Sequence, residues 1–175
     1  MKRKLVSIIV IIFQCILFSS FLRAQEQTDS HKAEEYIFMA QQALEKNELD
    51  NAVTFAEKAI ELNPDNDTAH HVYARWHRKV ATLSGIAKTF AKVLYGGLPP
   101  ASLEKAEEHF QKAIALKPDH INHHLELGIT YEMMEEWQKA DAAYDKVAAL
   151  EAKNNMDQKY KAEAASRKAD IAKKL

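Results

Sequence analysis

The segment Lys58-Ala59-Ile60-Glu61-Leu62-Asn63-Pro64-Asp65 returns as Lys112-Ala113-Ile114-Ala115-Leu116-Lys117-Pro118-Asp119, 54 positions further along the chain. Self-similarity at such a period means that one supersecondary unit is stacked on copies of itself, because a single unit cannot bury its apolar face alone. In both copies small and apolar residues recur at helical spacing. A proline then ends the helix, since it lacks an amide hydrogen and clashes with the preceding turn. With four glycines and four prolines in 175 residues, and 47% apolar positions, the chain has few breakers to spend on loops. It is predicted to be an all-α stack of antiparallel helix pairs.

The units can be laid out residue by residue. The first spans 33–66: Tyr36, Met39 and Ala40 take large-large-small positions in its first helix, Ala52, Ala56 and Ala59 keep its second helix slim, and Pro64 ends it. The third spans 121–152, with Leu127-Gly128 and Tyr131 followed by Trp137, Ala140, Tyr144 and Val147; Ala152 stands where a terminal proline is expected. This pattern resembles the tetratricopeptide repeat (TPR), a helix–turn–helix of about 34 residues. The spacing therefore reads as one unit plus an insertion of about 20 residues. The middle unit, 67–120, carries it. Its first helix is expected to be capped by Asp67 and to run through Tyr73, Ala74, Trp76 and His77. The apolar stripe then continues through Val80, Leu83, Ile86, Ala87, Phe90, Ala91 and Leu94 until Gly96-Gly97 and Pro99-Pro100 stop it. The insertion lies at about 84–101, as an extended helix pair or an extra helix. Ser102 then caps a helix bearing Ala106, Phe110 and Ala113. Residues 153–175 have the polar character of a capping helix. The expected fold is a TPR-like α-solenoid with an extended or inserted central helix and a C-terminal cap.

The stretch His70-His71-Val72-Tyr73-Ala74-Arg75-Trp76-His77-Arg78-Lys79-Val80, together with Leu98-Pro99-Pro100-Ala101-Ser102-Leu103-Glu104-Lys105-Ala106, resembles the regulator of microtubule dynamics family. That family is TPR-like, with an Arg-Trp helix followed by a proline-bearing connection. The resemblance covers about residues 67–134. It implies a partner-binding role, or a lipid-binding one, and carries no particular cellular function across.

At the N-terminus, Lys2-Arg3-Lys4 precedes an almost purely apolar run from Leu5 to Leu22, closed by Ala24 and the polar Gln25-Glu26-Gln27. This layout predicts a secretory signal peptide over 1–24 with cleavage after Ala24, a linker over 25–32, and export to a periplasmic or extracytoplasmic, membrane-associated location. An uncleaved anchor is the alternative, as about 18 apolar residues can just span a bilayer. Without residues 1–24 the chain keeps 20 basic against 25 acidic side chains, which argues against a general nucleic-acid binder. Cys15 is the sole cysteine, so the folded part has neither a disulfide nor a Cys-ligated zinc.

No nucleophile constellation and no phosphate-cradling glycine loop is present, so a non-catalytic protein without cofactor is expected. His120, His123 and His124 stand at i, i+3 and i+4, with His70, His71 and His77 in the equivalent region of the preceding unit; a zinc site of His ligands with Glu126 is conceivable, but helix-start and inter-repeat packing positions are the expected role and no metal is expected. A binding surface is better motivated. In a TPR stack the concave groove is lined mainly by first helices, which offer Ile37, Gln41 and Leu44, then His71, Arg75, Arg78 and Lys79, then Leu125, Ile129 and Glu132. A basic patch beside apolar neighbours suits an acidic peptide or a phospholipid head group. The counter-reading pairs Arg75 and Arg78 with Glu107 and Glu108. The stripe Ile86, Phe90 and Leu94, flanked by Lys88 and Lys92, is either core or a lipid-facing surface. A protein or peptide partner is the leading expectation, and a lipid the alternative.

Overall fold

The computed structural model describes the backbone of residues 2–175, and the side chains of Gln14 and of 17–175 other than Phe90, Ala91, Leu94 and Tyr95. Eight α-helices follow in chain order: α1 (Lys2–Glu45), α2 (Leu49–Leu62), α3 (Asp67–Ala81), α4 (Gly85–Tyr95), α5 (Leu103–Leu116), α6 (Ile121–Met133), α7 (Trp137–Ala149) and α8 (Asn155–Ile171), with a 3-10 turn at Ala172–Lys174. The closest-packed pairs are α1 with α2, α3 with α5, and α6 with α7. Each pair stacks on the next through α2 against α3 and α5 against α6, and α8 closes the row against α6 and α7. The result is a TPR-like α-solenoid. Its first helices α1, α3 and α6, followed by α8, also touch one another in sequence and form one wall of the stack.

Small residues explain the close pairing. Ala52, Ala56 and Ala59 on α2, Ala106 and Ala113 on α5, and Ala140 and Ala143 on α7 are buried, so the helix axes can approach until larger residues interlock. Gly128 of α6 is the extreme case: a Cβ there would lie 2.4 Å from Cε1 of Tyr144 on α7. The turns inside the first and third units use the left-handed region at corresponding positions, Asn47 (φ 61°) and Glu135 (φ 60°). Two apolar clusters result. One joins α1, α2 and α3 around Trp76, and the other joins α5, α6, α7 and α8 around Phe110, Leu125 and Tyr144. Trp76 Nε1 donates to the Leu49 carbonyl at 2.6 Å, tying α3 to the start of α2.

Several local expectations are corrected. The cap of α3 is Asn66, not Asp67; its Oδ1 accepts from the Ala69 amide at 3.0 Å. The apolar stripe of the middle unit does not lie on one helix. Thr82 Oγ1 donates back to the carbonyls of Arg78 and Lys79, and Ser84 caps a new helix through the Ala87 amide at 3.2 Å. Local side-chain bonding therefore overrides a spacing that would suit one long helix. The insertion is a separate helix, α4, which leaves α3 and α5 as the pair. In the first unit, Ala33, Ile37, Ala40, Ala43 and Leu44 face the core while Met39 is exposed, so Ile37 is core rather than groove-lining, and Leu44 is largely buried.

Residues 25–32, expected as a linker, are helical, and α1 passes through Ala24 without a break. Much of the proposed signal or anchor, including Cys15 and residues 1–13, lies outside the described side chains. Beyond them, Leu17, Phe18, Phe21 and Leu22 are exposed. Among the described residues no helix is long and apolar enough to cross a membrane.

Candidate binding groove

The 3.6-residue period of α3 brings Arg75, Arg78 and Lys79 to the side that faces α1 and α6. With Leu44 and Glu45 at the end of α1, Thr82, and Met133 at the end of α6, they enclose a cleft of about 370 Å³. The other side of α3 is filled by Val72, Trp76 and Val80, which hold the helix in the core.

The three cations are not equivalent. Arg78 is structural as well as charged, with a side chain only 13% exposed. One of its terminal nitrogens donates to the Glu126 carbonyl at 2.8 Å, and the other bonds the Glu126 carboxylate. Its guanidinium also lies over the Phe110 ring, 5.6 Å from the centroid. Lys79 donates to the Leu44 carbonyl at 2.8 Å and so caps the end of α1. Its ammonium is held below the usual lysine range, first by burial and then by the Arg75 charge. Arg75 is freer: its side chain is 42% exposed, and its Nε lies 3.6 Å from the Glu126 carboxylate that Arg78 already engages. One half-buried carboxylate is thus shared between two guanidiniums, and the cleft retains excess positive charge.

The structure separates the other candidates. His71, Leu125 and Ile129 are buried beneath the groove, not on its surface. Gln41 is half-buried, and Glu132 accepts from the Tyr144 hydroxyl and, at 3.3 Å, from Arg167. Glu107 and Glu108 do not pair with the arginines; they engage Tyr131 and Lys112 respectively. Sequence reasoning missed the counter-ion role of Glu126 and the part of Thr82 and Met133 in the cleft. In the insertion, Ile86 is exposed and lies apart from the pocket of about 330 Å³ lined by Val80, Lys88, Lys92 and 96–101. Phe90 and Leu94 lie outside the described side chains.

Most of these histidines bond one another, backbone or, for His123, the Asp67 carboxylate, whereas neither ring nitrogen of His77 bonds another described group. His70 meets His109, His71 meets His123, and His124 bonds the Pro118 carbonyl. Glu126 is committed to Arg78. Among the described residues no group of three or more His, Cys, Asp or Glu side chains is placed to hold a metal ion.

Residues 50–170 match the family described as "Regulator of microtubule dynamics protein 1-3". Regulator of microtubule dynamics protein 1 of Mus musculus is 37% identical over 76 residues, covering 43% of this chain and 25% of that protein. Its Caenorhabditis elegans counterpart is 29% identical over 110 residues, covering 63% and 49%. The chain thus spans between a quarter and a half of the length of these relatives. Among solved structures, the first TPR of Spaghetti (RPAP3) bound to the HSP90 peptide SRMEEVD superposes with a TM-score of 0.58 at 16% identity, covering 80% of this chain and 98% of that one. This likeness shows the TPR fold.

The comparison also overturns the expected periplasmic location. The relatives are animal regulators of microtubule dynamics. The apolar run that suggested export is, in its described part, continuous with the first repeat helix.

Proposed function

The chain belongs to the regulator of microtubule dynamics family, and on that premise we propose that it is a non-catalytic TPR module holding an acidic segment of a protein partner in the cleft between α1, α3 and α6. The observation that carries this reading is the shared carboxylate. Glu126 is the one acid paired with both Arg75 and Arg78, so an incoming carboxylate would meet Arg75 with hydrogen-bonding capacity to spare. Leu44 and Met133 give the same cleft apolar ends, and burial of apolar surface around a charge contact is what makes such a contact selective. A TPR neighbour captured with an acidic peptide shows that the fold can present a groove to such a ligand. The lysine and asparagine pattern that grips a terminal carboxylate is absent, so an internal acidic segment is the fitting ligand.

The test is an array of 15-residue peptides graded in charge and probed with the labelled protein. Acidic peptides carrying a leucine or methionine should dominate, and Arg75→Glu should remove their signal while the helical circular dichroism stays unchanged. Arg75 is the right probe because Arg78 also supports the fold. Binding that ignores peptide charge, or survives Arg75→Glu, sinks the groove assignment.

A further inference from the structure

Six histidines gather where the middle repeat meets its neighbours: His70, His71 and His77 on α3, His109 on α5, and His120 and His123 at the start of α6. Two direct imidazole–imidazole bonds cross the helix boundaries. His71 Nδ1 lies 2.9 Å from His123 Nδ1 across α3 and α6, and His70 Nδ1 lies 2.9 Å from His109 Nδ1 across α3 and α5. The crossing to α6 is buried, with His71 5% and His123 1% exposed.

The outer partners fix where the protons sit. His123 Nε2 lies 2.8 Å from the Asp67 carboxylate, which can only accept, so His123 carries its hydrogen on Nε2 and its Nδ1 is bare. His71 must then donate through Nδ1, leaving Nε2 to the Asn122 amide at 3.5 Å. The same logic orients the second pair. His70 Nε2 donates to the Pro64 carbonyl at 2.8 Å, so its Nδ1 accepts from His109. Both bonds form with every ring neutral, and each is lost when its acceptor ring, His123 or His70, takes a proton on Nδ1. A proton added to His123 lands on the nitrogen that faces the N–H of His71, and the bond between α3 and α6 becomes a contact of two donors.

The surroundings offer little to absorb that charge. His71 faces Arg75 and Arg78 on its own helix, His120 and His123 from α6, and the Phe110 edge from α5. His123 faces His120 and His124 from α6, with Asp67 of α3 as its one carboxylate. His120, stacked on His123 at 4.1 Å, has Lys117 nearby, and Asp67 and Asp157 as acids. In the second pair, Lys112 and Glu108 of α5 and Asp65 face His70; the same lysine and glutamate, with His77, face His109.

We propose that this imidazole seam is an acid-sensitive latch between the second and third repeats, closed while the rings are neutral and released when the His71–His123 pair takes up a proton. Burial lowers His123 to about 4 from an ordinary 6.5, with His120 second, and burial first and His123 second hold His71 well below its ordinary range. Each ring therefore binds its proton more readily unfolded than folded. The stability it contributes is complete above pH 6.5 and is lost as the pH falls from there toward 4. Because α3 and α6 also form the walls of the Arg75 cleft, release of the seam alters the groove.

The experiment is a pH series of urea unfolding with the double variant His71→Gln/His123→Gln beside the wild type. Below pH 6.5 the wild-type folding constant should lose up to about tenfold per pH unit for each of the two histidines, and the variant should lose correspondingly less. Equal pH dependence in both proteins overturns the latch. Long-range 15N spectra of wild-type histidines give a second reading that needs no variant. The expected signals are His71 as the Nδ1–H tautomer and His123 as the Nε2–H tautomer, both neutral at pH 5. Either ring in the other tautomer, or titrating near 6.5, refutes it.

Discussion

Replacing Gly128 with alanine sets a helix-propensity gain against a steric loss, and the structure decides the sign. Within α6 the change should stabilise the helix by about 1 kcal/mol through a smaller loss of backbone entropy. The added Cβ would, however, stand 2.4, 2.9 and 3.0 Å from Cε1, Cδ1 and Cζ of Tyr144. Real carbon contacts do not close to that distance, so the ring or α7 must move. Tyr144 is poorly placed to yield: it is 1% exposed, and its hydroxyl donates to Glu132, which also holds Arg167. Overpacking of this kind costs about 1–3 kcal/mol, and weakening a hydrogen bond to a charged group adds about 1.5 kcal/mol or more. The net expectation is a destabilisation of about 1.5–3.5 kcal/mol, read as a midpoint lowered by roughly 2–4 °C for each kcal/mol in a chain of this size. The assay is thermal and urea unfolding of Gly128→Ala, Tyr144→Leu and the double variant. The double variant should lose less than the two single changes together, because removing the ring removes the clash. A Gly128→Ala protein as stable as wild type, or additive effects in the cycle, would show that Tyr144 does not hold this close contact.

Three further outcomes follow from the same packing. Trp76→Phe keeps an aromatic ring but leaves the Leu49 carbonyl without its 2.6 Å donor, and should cost about 1–3 kcal/mol in urea unfolding. Asn66→Ala removes the cap of α3 and a 2.8 Å bond to Glu34; a loss of about 1 kcal/mol is expected by the same method. His77 has the opposite sign. It is buried among Tyr73, Trp76 and His109 with neither ring nitrogen bonded to another described group. Its pKa is lowered to about 4, by burial first and by Lys105 second. His77→Leu should leave the midpoint unchanged or raised at pH 7, with a larger advantage at pH 5, where the unfolded chain of the wild type gains a proton that the folded chain resists.

The residues that were legible in the sequence are those whose role is local or repeats. Alanines at 52, 56 and 59, the Phe110 position and Gly128 sit at helical spacing against a known partner helix, and a repeating unit fixes that partner in advance. Ser102 as a cap is equally local. Three things were not legible. The break at 82–84 arises from hydroxyls bonding nearby backbone, which leaves the apolar period intact and therefore invisible to it. The rotation of α1 that buries Ile37 and exposes Met39 is set by packing against α2 and α3. The groove's electrostatics depend on Glu126, 48 residues from Arg78, and the histidine bonds span 39 and 52 residues. Spacing along one helix carries no information about such pairs. The helical spacing of Arg75, Arg78 and Lys79 was legible; the pairing that ties Arg78 to Glu126 and leaves Arg75 more exposed was not.

A partner held on the wall formed by first helices should perturb that wall as it binds. Amide chemical-shift mapping of the 15N-labelled chain, titrated with the strongest acidic peptide from the array, tests it most directly. Saturable shifts are expected at 44–45, 75–82 and 130–133, abolished in Arg75→Glu. Shifts confined to α2, α5 or α7, or unchanged by that substitution, would contradict it.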